Sequence, residues 1–437
     1  MSYLQRLRET FWFFPAVMCI LAAVAAQGLT SLDRRLDDDA SQPGVLLYEV
    51  GAAGSRSLLE SIAGSMLAVA STTFSITIAV LALTSSTYGP RLVRNFMADR
   101  GNQLVLGTYV ATYVYTLLVL RSVRSLEEGD DSTFVPHLAV NGAVLLAIVS
   151  IGVLVWFIHH IADSIQVWTL AGRVHGELRA VVEDLYPEHL GDEPSHAETG
   201  RLREALTGPV TATVTAAKAG YVQRVEDDRL LELAQEEQLV VELLVRPGSF
   251  VVERGAVAHV RGRLEDEDAT AKRLRRCLHL GSSRSPYQDV EYAVQQLVEM
   301  AVRALSPSTN DPYTALNALD ELSDGLAAMA RRSAPSPARL DGDGAVRVVA
   351  PGVVLADLVE LLVDAMRGYA CDHPDVVDRT ITVLDRVGNE APPASRRHLL
   401  EQAELLLDQY RRTDPHPRDL SRVGDHVAAT RVRLAPA

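Results

Sequence analysis

Long apolar stretches are confined to the first 170 residues, and the remainder of the chain mixes apolar and polar positions in shorter periods. Four stretches approach or reach the length of about 20 residues that an α-helix needs to cross a bilayer. They occupy residues 11–29, 62–83, 104–120 and 138–158. The pattern therefore predicts four transmembrane helices.

The C-terminal part has the patterns of a folded domain with a polar surface. Strict alternation predicts strands at residues 210–215, 220–225 and 239–245, and a Pro-Gly turn leads into another. From residue 289 onward, apolar positions recur three or four apart, which predicts amphipathic helices. Two segments rich in Pro, Gly or polar residues, 187–200 and 333–344, are predicted to be a linker and a loop.

These patterns predict a membrane α-helical protein with an additional α+β region. The α+β region is expected to combine a small β module, similar to the barrel-sandwich domains of lipoyl and biotinyl carriers, with a helical bundle. The predicted domains are a four-helix transmembrane domain (1–170), a helical stalk and linker (171–207), a β-rich module (208–264) and a helical domain (265–437).

The distribution of charged side chains also distinguishes the first 170 residues from the rest of the chain. The chain has 42 basic and 56 acidic side chains, a net charge of −14, yet its mean hydropathy is +0.08. Residues 1–170 contain 10 basic and 13 acidic side chains, so the rest carries −11. A nucleic-acid-binding protein would show a basic excess, so nucleic acid is not an expected partner.

The orientation of the predicted helices follows from the arginines, which concentrate in cytoplasmic loops. Arg6 and Arg8 precede the first helix, and Arg91, Arg94 and Arg100 lie in the second loop. The first and third loops are predominantly acidic. We therefore expect a multi-pass membrane protein with both termini in the cytoplasm, and the lipid bilayer is its first partner.

The second apolar stretch is unusually rich in hydroxyl groups. Ser61, Ser65, Thr72 and Ser75 recur at helical spacing and share one face with two alanines. Such a face permits close helix packing, or it lines a wet path for a partly dehydrated ion. Both interpretations stay open at this point.

Charged and titratable residues flank these helices. For a pore, Glu60 at the outer end of the second helix and Arg91 with Arg94 beyond its inner end would be the charged mouths. Interface or sensing candidates follow the fourth stretch, where a helix brings one histidine and an aspartate onto one face; they are His159, His160 and Asp163. A metal pair, a pH sensor and interfacial histidines are the alternatives.

Few motifs for other chemistry occur. A polar turn supplies the candidate residues Ser306, Asn310 and Asp311; Asp311 with the following proline also suits a helix start. Lys218 lacks the hairpin context for covalent cofactor attachment. The three cysteines, Cys19, Cys277 and Cys371, are too far apart for a CxxC pair. We expect no cofactor, no metal and no enzymatic activity.

Four motifs resemble the bacterial membrane-protein family catalogued as domain of unknown function 2254. They are STTFSIT at 71–77, YGPRL at 88–92, FIHHIA at 157–162 and ALSPSTNDP at 304–312. The resemblance covers nearly the whole chain. It implies an inner-membrane protein with a cytoplasmic C-terminal region and no assigned catalytic residues.

The functional hypothesis is a homo-oligomeric channel or pore-type transport protein. Four helices are too few for a transport path in one chain, and a small-residue face favours assembly with further copies. No apolar stretch carries a charge in its middle, which argues against a coupled pump. The expected partners are the bilayer, copies of the same chain and ions. The alternative is a non-conducting scaffold or sensor whose cytoplasmic region recruits a partner.

Overall fold

A computed structural model describes residues 12–38, 51–88, 99–123, 134–164, 167–186, 196–332 and 336–435. The chain divides into two compact units, Met1–Thr169 and Leu170–Ala437. The division falls next to residue 170, where the pattern of apolar stretches ends.

Four long helices form the first unit, which we call the membrane unit. They are α1 (Phe13–Asp38), α2 (Ala52–Tyr88), α3 (Arg100–Leu120) and α4 (His137–Ser164). Each contains a stretch long and apolar enough to cross a membrane, which confirms the four predicted helices. With 37 residues, α2 extends to roughly 55 Å, well beyond an apolar core of about 30 Å.

Contacts between helix ends show that α1 runs antiparallel to α4 and that α2 runs antiparallel to α3. Asp33, near the end of α1, accepts hydrogen bonds from the backbone amides of Leu138 and Ala139 at the start of α4, both at 3.0 Å. Near the start of α2, Arg56 Nη2 donates to the carbonyl of Val123, just after α3. Asp33 thereby satisfies two of the free amides that every helix leaves at its N-terminus.

The third helix, α3, is the centre of this unit. It packs against α1, α2 and α4, and a far larger share of its span is buried than in the other three. Val105, Tyr109 and Val119 are fully buried. Small residues allow the close approach: a Cβ atom on Gly107 would lie 2.6 Å from Met18 Sδ of α1.

The second unit, which we call the C-terminal unit, is mainly helical with two small sheets. Its helices are α5 (Val167–Leu185, whose first three residues belong to the membrane unit), α6 (His196–Thr207), α7 (Asp227–Glu236), α8 (Glu267–Cys277), α9 (Val290–Ala304), α10 (Pro312–Ala330), α11 (Leu355–Tyr369), α12 (Pro374–Glu390), α13 (Pro393–Arg411) and α14 (Pro417–Leu434). Its strands are β1 (Ala212–Thr215), β2 (Gly220–Val225), β3 (Val240–Leu243), β4 (Phe250–Val251), β5 (Ala256–Arg261), β6 (Leu278–Gly281), β7 (Ala338–Leu340) and β8 (Val346–Val349).

The strands form one sheet of five, in the order β1-β5-β3-β8-β7, and one of three, in the order β4-β2-β6. All pairs are antiparallel except β3 with β8. Apolar side chains of both sheets share one core with α7 and α8, including Val222, Leu230, Val241, Val260 and Leu274.

Three sequence-based boundaries differ from the structure. Strands β6, β7 and β8 lie outside residues 208–264, so the sheets draw on a much longer part of the chain than the predicted module. The predicted loop at 333–344 contains β7, which is held by pairing with β8. The predicted linker at 187–200 ends at His196, where α6 begins, while 187–195 lie outside the described residues.

The helices after residue 289 begin where local sequence favours a start. Asp311 accepts a hydrogen bond from the Thr314 amide at 3.1 Å, and Pro312 occupies the first turn of α10. Proline is tolerated there because its missing N–H has no partner inside the helix. Helices α12, α13 and α14 start on prolines in the same way.

Candidate functional site

The second helix, α2, has two chemically different faces. The face toward the bundle is buried and mostly apolar; it includes Leu59, Ile62, Met66, Ala70 and Val80. The opposite face carries the predicted hydroxyl row, and each of its members is exposed: Ser61, Ser65, Ala68, Thr72, Ser75 and Ala79. Helical spacing therefore places these residues together on one face, and the chain's own described helices leave that face uncovered.

Three hydroxyl groups on that face are bonded within α2. Ser65 Oγ donates to the Ile62 carbonyl, Thr72 Oγ1 to the Ala68 carbonyl and Ser75 Oγ to the Ser71 carbonyl, at 2.9, 3.0 and 2.9 Å. Each of these oxygens can still accept a further hydrogen bond. The face thus offers acceptors to an ion or water, and these three donors need no outside partner.

Of the three residues predicted to form the charged mouths of a pore, the structure describes Glu60. Glu60 is exposed, next to Ser61 on α2. Arg91 and Arg94 lie outside the described residues, so their relation to α2 stays a prediction.

The three candidates after the fourth helix separate into two clusters. His159 Nε2 lies 3.3 Å from Asp163 Oδ2, with side chains that are 80% and 53% exposed. His160 instead turns inward to Asp99 and is only 24% exposed. One pair is therefore a surface contact, whereas the other connects two helices.

The inward cluster connects the end of α4 to the start of α3. Asp99 Oδ1 caps α3 by accepting from the Gly101 amide at 2.7 Å, and it lies 3.2 Å from His160 Nε2. The indole of Trp156 stacks on the His160 ring, with 4.6 Å between centroids. Gly101 is required here, because a Cβ atom would lie 2.6 Å from His160 Nε2.

Buried polar side chains on α3 form a second set, which sequence reasoning missed. Thr112 Oγ1 and Ser150 Oγ of α4 are 3.1 Å apart, and Thr116 Oγ1 donates to the Thr112 carbonyl. Asn102 is 2% exposed, and among the described residues neither of its amide atoms has a hydrogen-bond partner; the same holds for the Tyr109 hydroxyl. The signal available in sequence was the polar run from Asp99 to Gln103 at the start of an otherwise apolar helix.

The predicted loop candidates form a compact turn between α9 and α10. Ser306 accepts at its carbonyl from the amides of Thr309 and Asn310, and Asn310 has a positive φ of 45°. Asp311 caps α10, as its sequence suggested. Ser306 Oγ lies 3.2 Å from Ser308 Oγ, so the hydroxyls are occupied within the turn. The arrangement accounts for these residues as a helix connection.

Among the described residues, no group of three or more His, Cys, Asp or Glu side chains is arranged to hold a metal ion. Cys277 and Cys371 are buried free thiols, and burial raises the pKa of each.

Comparison with known proteins places these features in a family. The profile of a family described as predicted membrane protein (DUF2254) matches residues 8–386. The chain belongs to this family. An uncharacterized protein of Mycobacterium bovis is 30% identical over 367 residues, covering 83% of this chain and 69% of the relative. An uncharacterized protein of Mycobacterium tuberculosis matches to the same extent. No solved structure matches the chain.

Membership confirms the resemblance in the four motifs, and it agrees with the four apolar helices. The STTFSIT motif of this family member lies on α2 and includes Thr72 and Ser75 of the exposed face. The FIHHIA motif supplies His160, which contacts Asp99. Two of the four motifs therefore fall on the two features of the membrane unit described above, whereas ALSPSTNDP lies in the C-terminal unit and residues 89–92 of YGPRL lie outside the described residues.

Proposed function

We propose that this protein is a homo-oligomeric channel of the bacterial inner membrane in which α2 of each copy faces a shared axis. The observation that carries the proposal is the exposed row of Ser61, Ser65, Thr72 and Ser75. On a helix facing lipid such a row gains nothing, whereas oxygen-bearing side chains facing a shared axis replace part of an ion's hydration shell.

The packing of the bundle supports a path between copies rather than within one. In the described residues, α3 occupies the centre, and its side chains at Val105, Tyr109 and Tyr115 are at most 2% exposed. A route for ions would therefore run along an outer face. The small residues of α2 allow copies to approach closely along that face.

The charge of the C-terminal part bears on selectivity. Residues 171–437 carry −11, and in a ring of copies this charge is multiplied. With both termini in the cytoplasm, the C-terminal units would form an acidic collar that regulates or assembles the channel and concentrates cations at the inner mouth. Arg91 and Arg94, which the sequence predicts at the same mouth, would act in the opposite direction.

A second function is favoured by the internal hydrogen bonds of the row. Because Thr72 and Ser75 already donate to carbonyls of α2, the face can pack dry against another helix. The protein would then be a non-conducting scaffold or sensor whose C-terminal unit recruits a partner.

Liposomes containing the full-length protein distinguish the two functions. Thr72→Leu and Ser75→Leu add bulk to the row, and Ile151→Phe adds bulk to an exposed position of α4 as a control. A channel should conduct ions and lose most of its conductance in the first two variants, with an unchanged oligomer and a normal control. Silent liposomes under varied voltage, tension and pH, with an oligomer disrupted by the same variants, would contradict the channel and support the scaffold.

A further inference from the structure

The C-terminal unit contains a cavity of about 130 Å³ that no part of the proposed function uses. It lies where the ends of β3 and β8 meet the last residues of α5 and the segment 350–353. Asp227, Pro351 and Gly352 are exposed and form its rim. The cavity is thus open to solvent on one side and closed by the sheet on the other.

The floor of the cavity is apolar. Leu230, Leu243, Val290 and Val348 line it, and each is at most 6% exposed. A cavity of similar size, about 150 Å³ with apolar walls, stays dry and takes up a molecule the size of benzene. The floor therefore suits an apolar body of about six carbon atoms.

Three of the polar residues in the wall are satisfied by the protein itself. Arg246 pairs with Glu291 at 2.7 Å and with Asp357 at 3.5 Å. Tyr186 donates its hydroxyl to the Val353 carbonyl at 2.8 Å, and burial raises the pKa of this phenol, which keeps it protonated. Gln288 accepts from the Val225 amide and donates to its carbonyl. These side chains form part of the wall, and they have few hydrogen-bonding groups left to bind a ligand.

Arg339 on β7 differs from them. Its Nη1 donates to the carbonyls of Ser336 and Ala338, and no carboxylate in the described part of the chain lies within ion-pair distance. Its Nε and Nη2 remain available as donors, and the side chain is half-buried beside the apolar floor. A half-buried guanidinium without a counter-charge attracts an anion, and its planar donors suit a carboxylate.

We propose that this cavity binds a small amphipathic monoanion, with an apolar body on Leu230, Leu243 and Val348 and a carboxylate on Arg339. A ligand with one negative charge fits better than a ligand with two. Asp227 at the rim would repel a second negative charge, and the positive charge of Arg246 is already balanced by an ion pair. The site is independent of the proposed function, since it requires neither conduction nor assembly.

Benzoate and its neutral analogue benzamide test the assignment, because they differ in charge and hardly in shape. Binding to the full-length protein in detergent micelles is measured by saturation-transfer NMR, which suits dissociation constants near a millimolar. Arg339→Gln removes the charge, and Ala350→Phe fills the cavity. Arg347→Gln is the matched control. Arg347 lies on the adjacent strand and pairs with Asp341 outside the cavity, so this variant removes a positive charge without touching the cavity.

We expect saturable binding of benzoate and at least tenfold weaker binding of benzamide. Arg339→Gln should lower benzoate affinity about tenfold, Ala350→Phe should abolish binding, and Arg347→Gln should bind like the wild type. Equal affinity for both probes, no saturable binding, unchanged affinity in Arg339→Gln, or an equal loss in Arg347→Gln would overturn the proposal. If Ala350→Phe does not fold, Arg339→Gln compared with Arg347→Gln decides.

Discussion

Leu178 lies directly over Gly325. A Cβ atom on Gly325 would come within 2.2 Å of Leu178 Cδ2, so the glycine is what allows α5 to pack onto α10. The contact is part of a buried apolar face on α5 that also contains Ala171, Val174 and Val182.

Replacing this glycine should therefore weaken the C-terminal unit. We expect Gly325→Ala to lower the free energy of unfolding by about 1–3 kcal/mol, because the added methyl overpacks a filled contact. Gly424→Ala in α14 is the control; a Cβ atom there meets nothing within 4 Å, and alanine should stabilise the helix by up to about 1 kcal/mol. Urea unfolding of the full-length protein measures both, and an equal effect would contradict the proposed packing.

A second prediction concerns acid stability. Hydrogen bonds from Arg229 and His279, at 2.8 and 2.6 Å, lower the pKa of Glu226 to about 2 from an ordinary value of 4.5. Since the folded-state pKa is the lower one, the stabilisation is complete above pH 4.5 and is lost as the pH falls toward 2.

The variant Glu226→Gln isolates this contribution. At pH 7 it should be less stable than the wild type by on the order of 1 kcal/mol, after allowance for solvent screening. The difference should shrink as the pH falls from 4.5 to 2. Thermal unfolding across this range is the measurement, with Glu232→Gln on the same helix as control; a constant difference would refute the linkage.

The cluster of Asp99, Gly101, His160 and Trp156 gives a prediction for the membrane unit. Gly101→Ala should separate the start of α3 from the end of α4, because its Cβ atom would lie within 3 Å of three neighbours. We expect a loss of about 1–3 kcal/mol and a change in Trp156 fluorescence. Gly152→Ala on α4 meets nothing within 4 Å, so it should leave Trp156 fluorescence unchanged and should not lower the stability of the detergent-solubilised protein.

The next prediction concerns Asn102, whose replacement should stabilise the protein rather than destabilise it. Its buried amide has no hydrogen-bond partner among the residues that the structure describes, so Asn102→Leu removes a desolvation cost and should stabilise the bundle by about 1 kcal/mol. Thr112→Val removes a hydrogen bond to Ser150 and should cost about 0.6 kcal/mol. Midpoints of thermal unfolding in detergent compare the two variants. Destabilisation by Asn102→Leu would mean that water or an ion satisfies this amide.

Sequence patterns predicted the four membrane helices, the helices after residue 289 and strands β1 to β4 because those signals are local, but they did not predict α7 or α8. Strand β2 begins and ends where alternation predicted, and prolines stand in the first turns of α12 and α13. The parallel pair of β3 and β8 joins residues over 100 positions apart, as in Val241 with Val348. No local period encodes such a pairing, which is why the predicted β module was too short.

The sequence likewise predicted part of the candidate site, but not all of its environment. Helical spacing placed Ser61, Ser65, Thr72 and Ser75 on one face. The spacing of residues alone, however, does not show whether another helix packs on that face. The separate environments of His159 and His160 depend on Asp99, 61 residues from His160, and on the packing of α4 against α3. Buried Asn102 resembled an interfacial residue in sequence because it stands in the first turn of its helix.

The cap that Asp33 places on α4 also constrains the order of assembly. Ribosomes complete Asp33 105 residues before Leu138, the first amide that it binds. Until the fourth helix inserts, neither of these two hydrogen bonds can form. Insertion of α4 adds both and at the same time satisfies two amides of its own first turn. Biogenesis of the bundle is therefore completed by its last helix, and a chain truncated before α4 lacks both contacts.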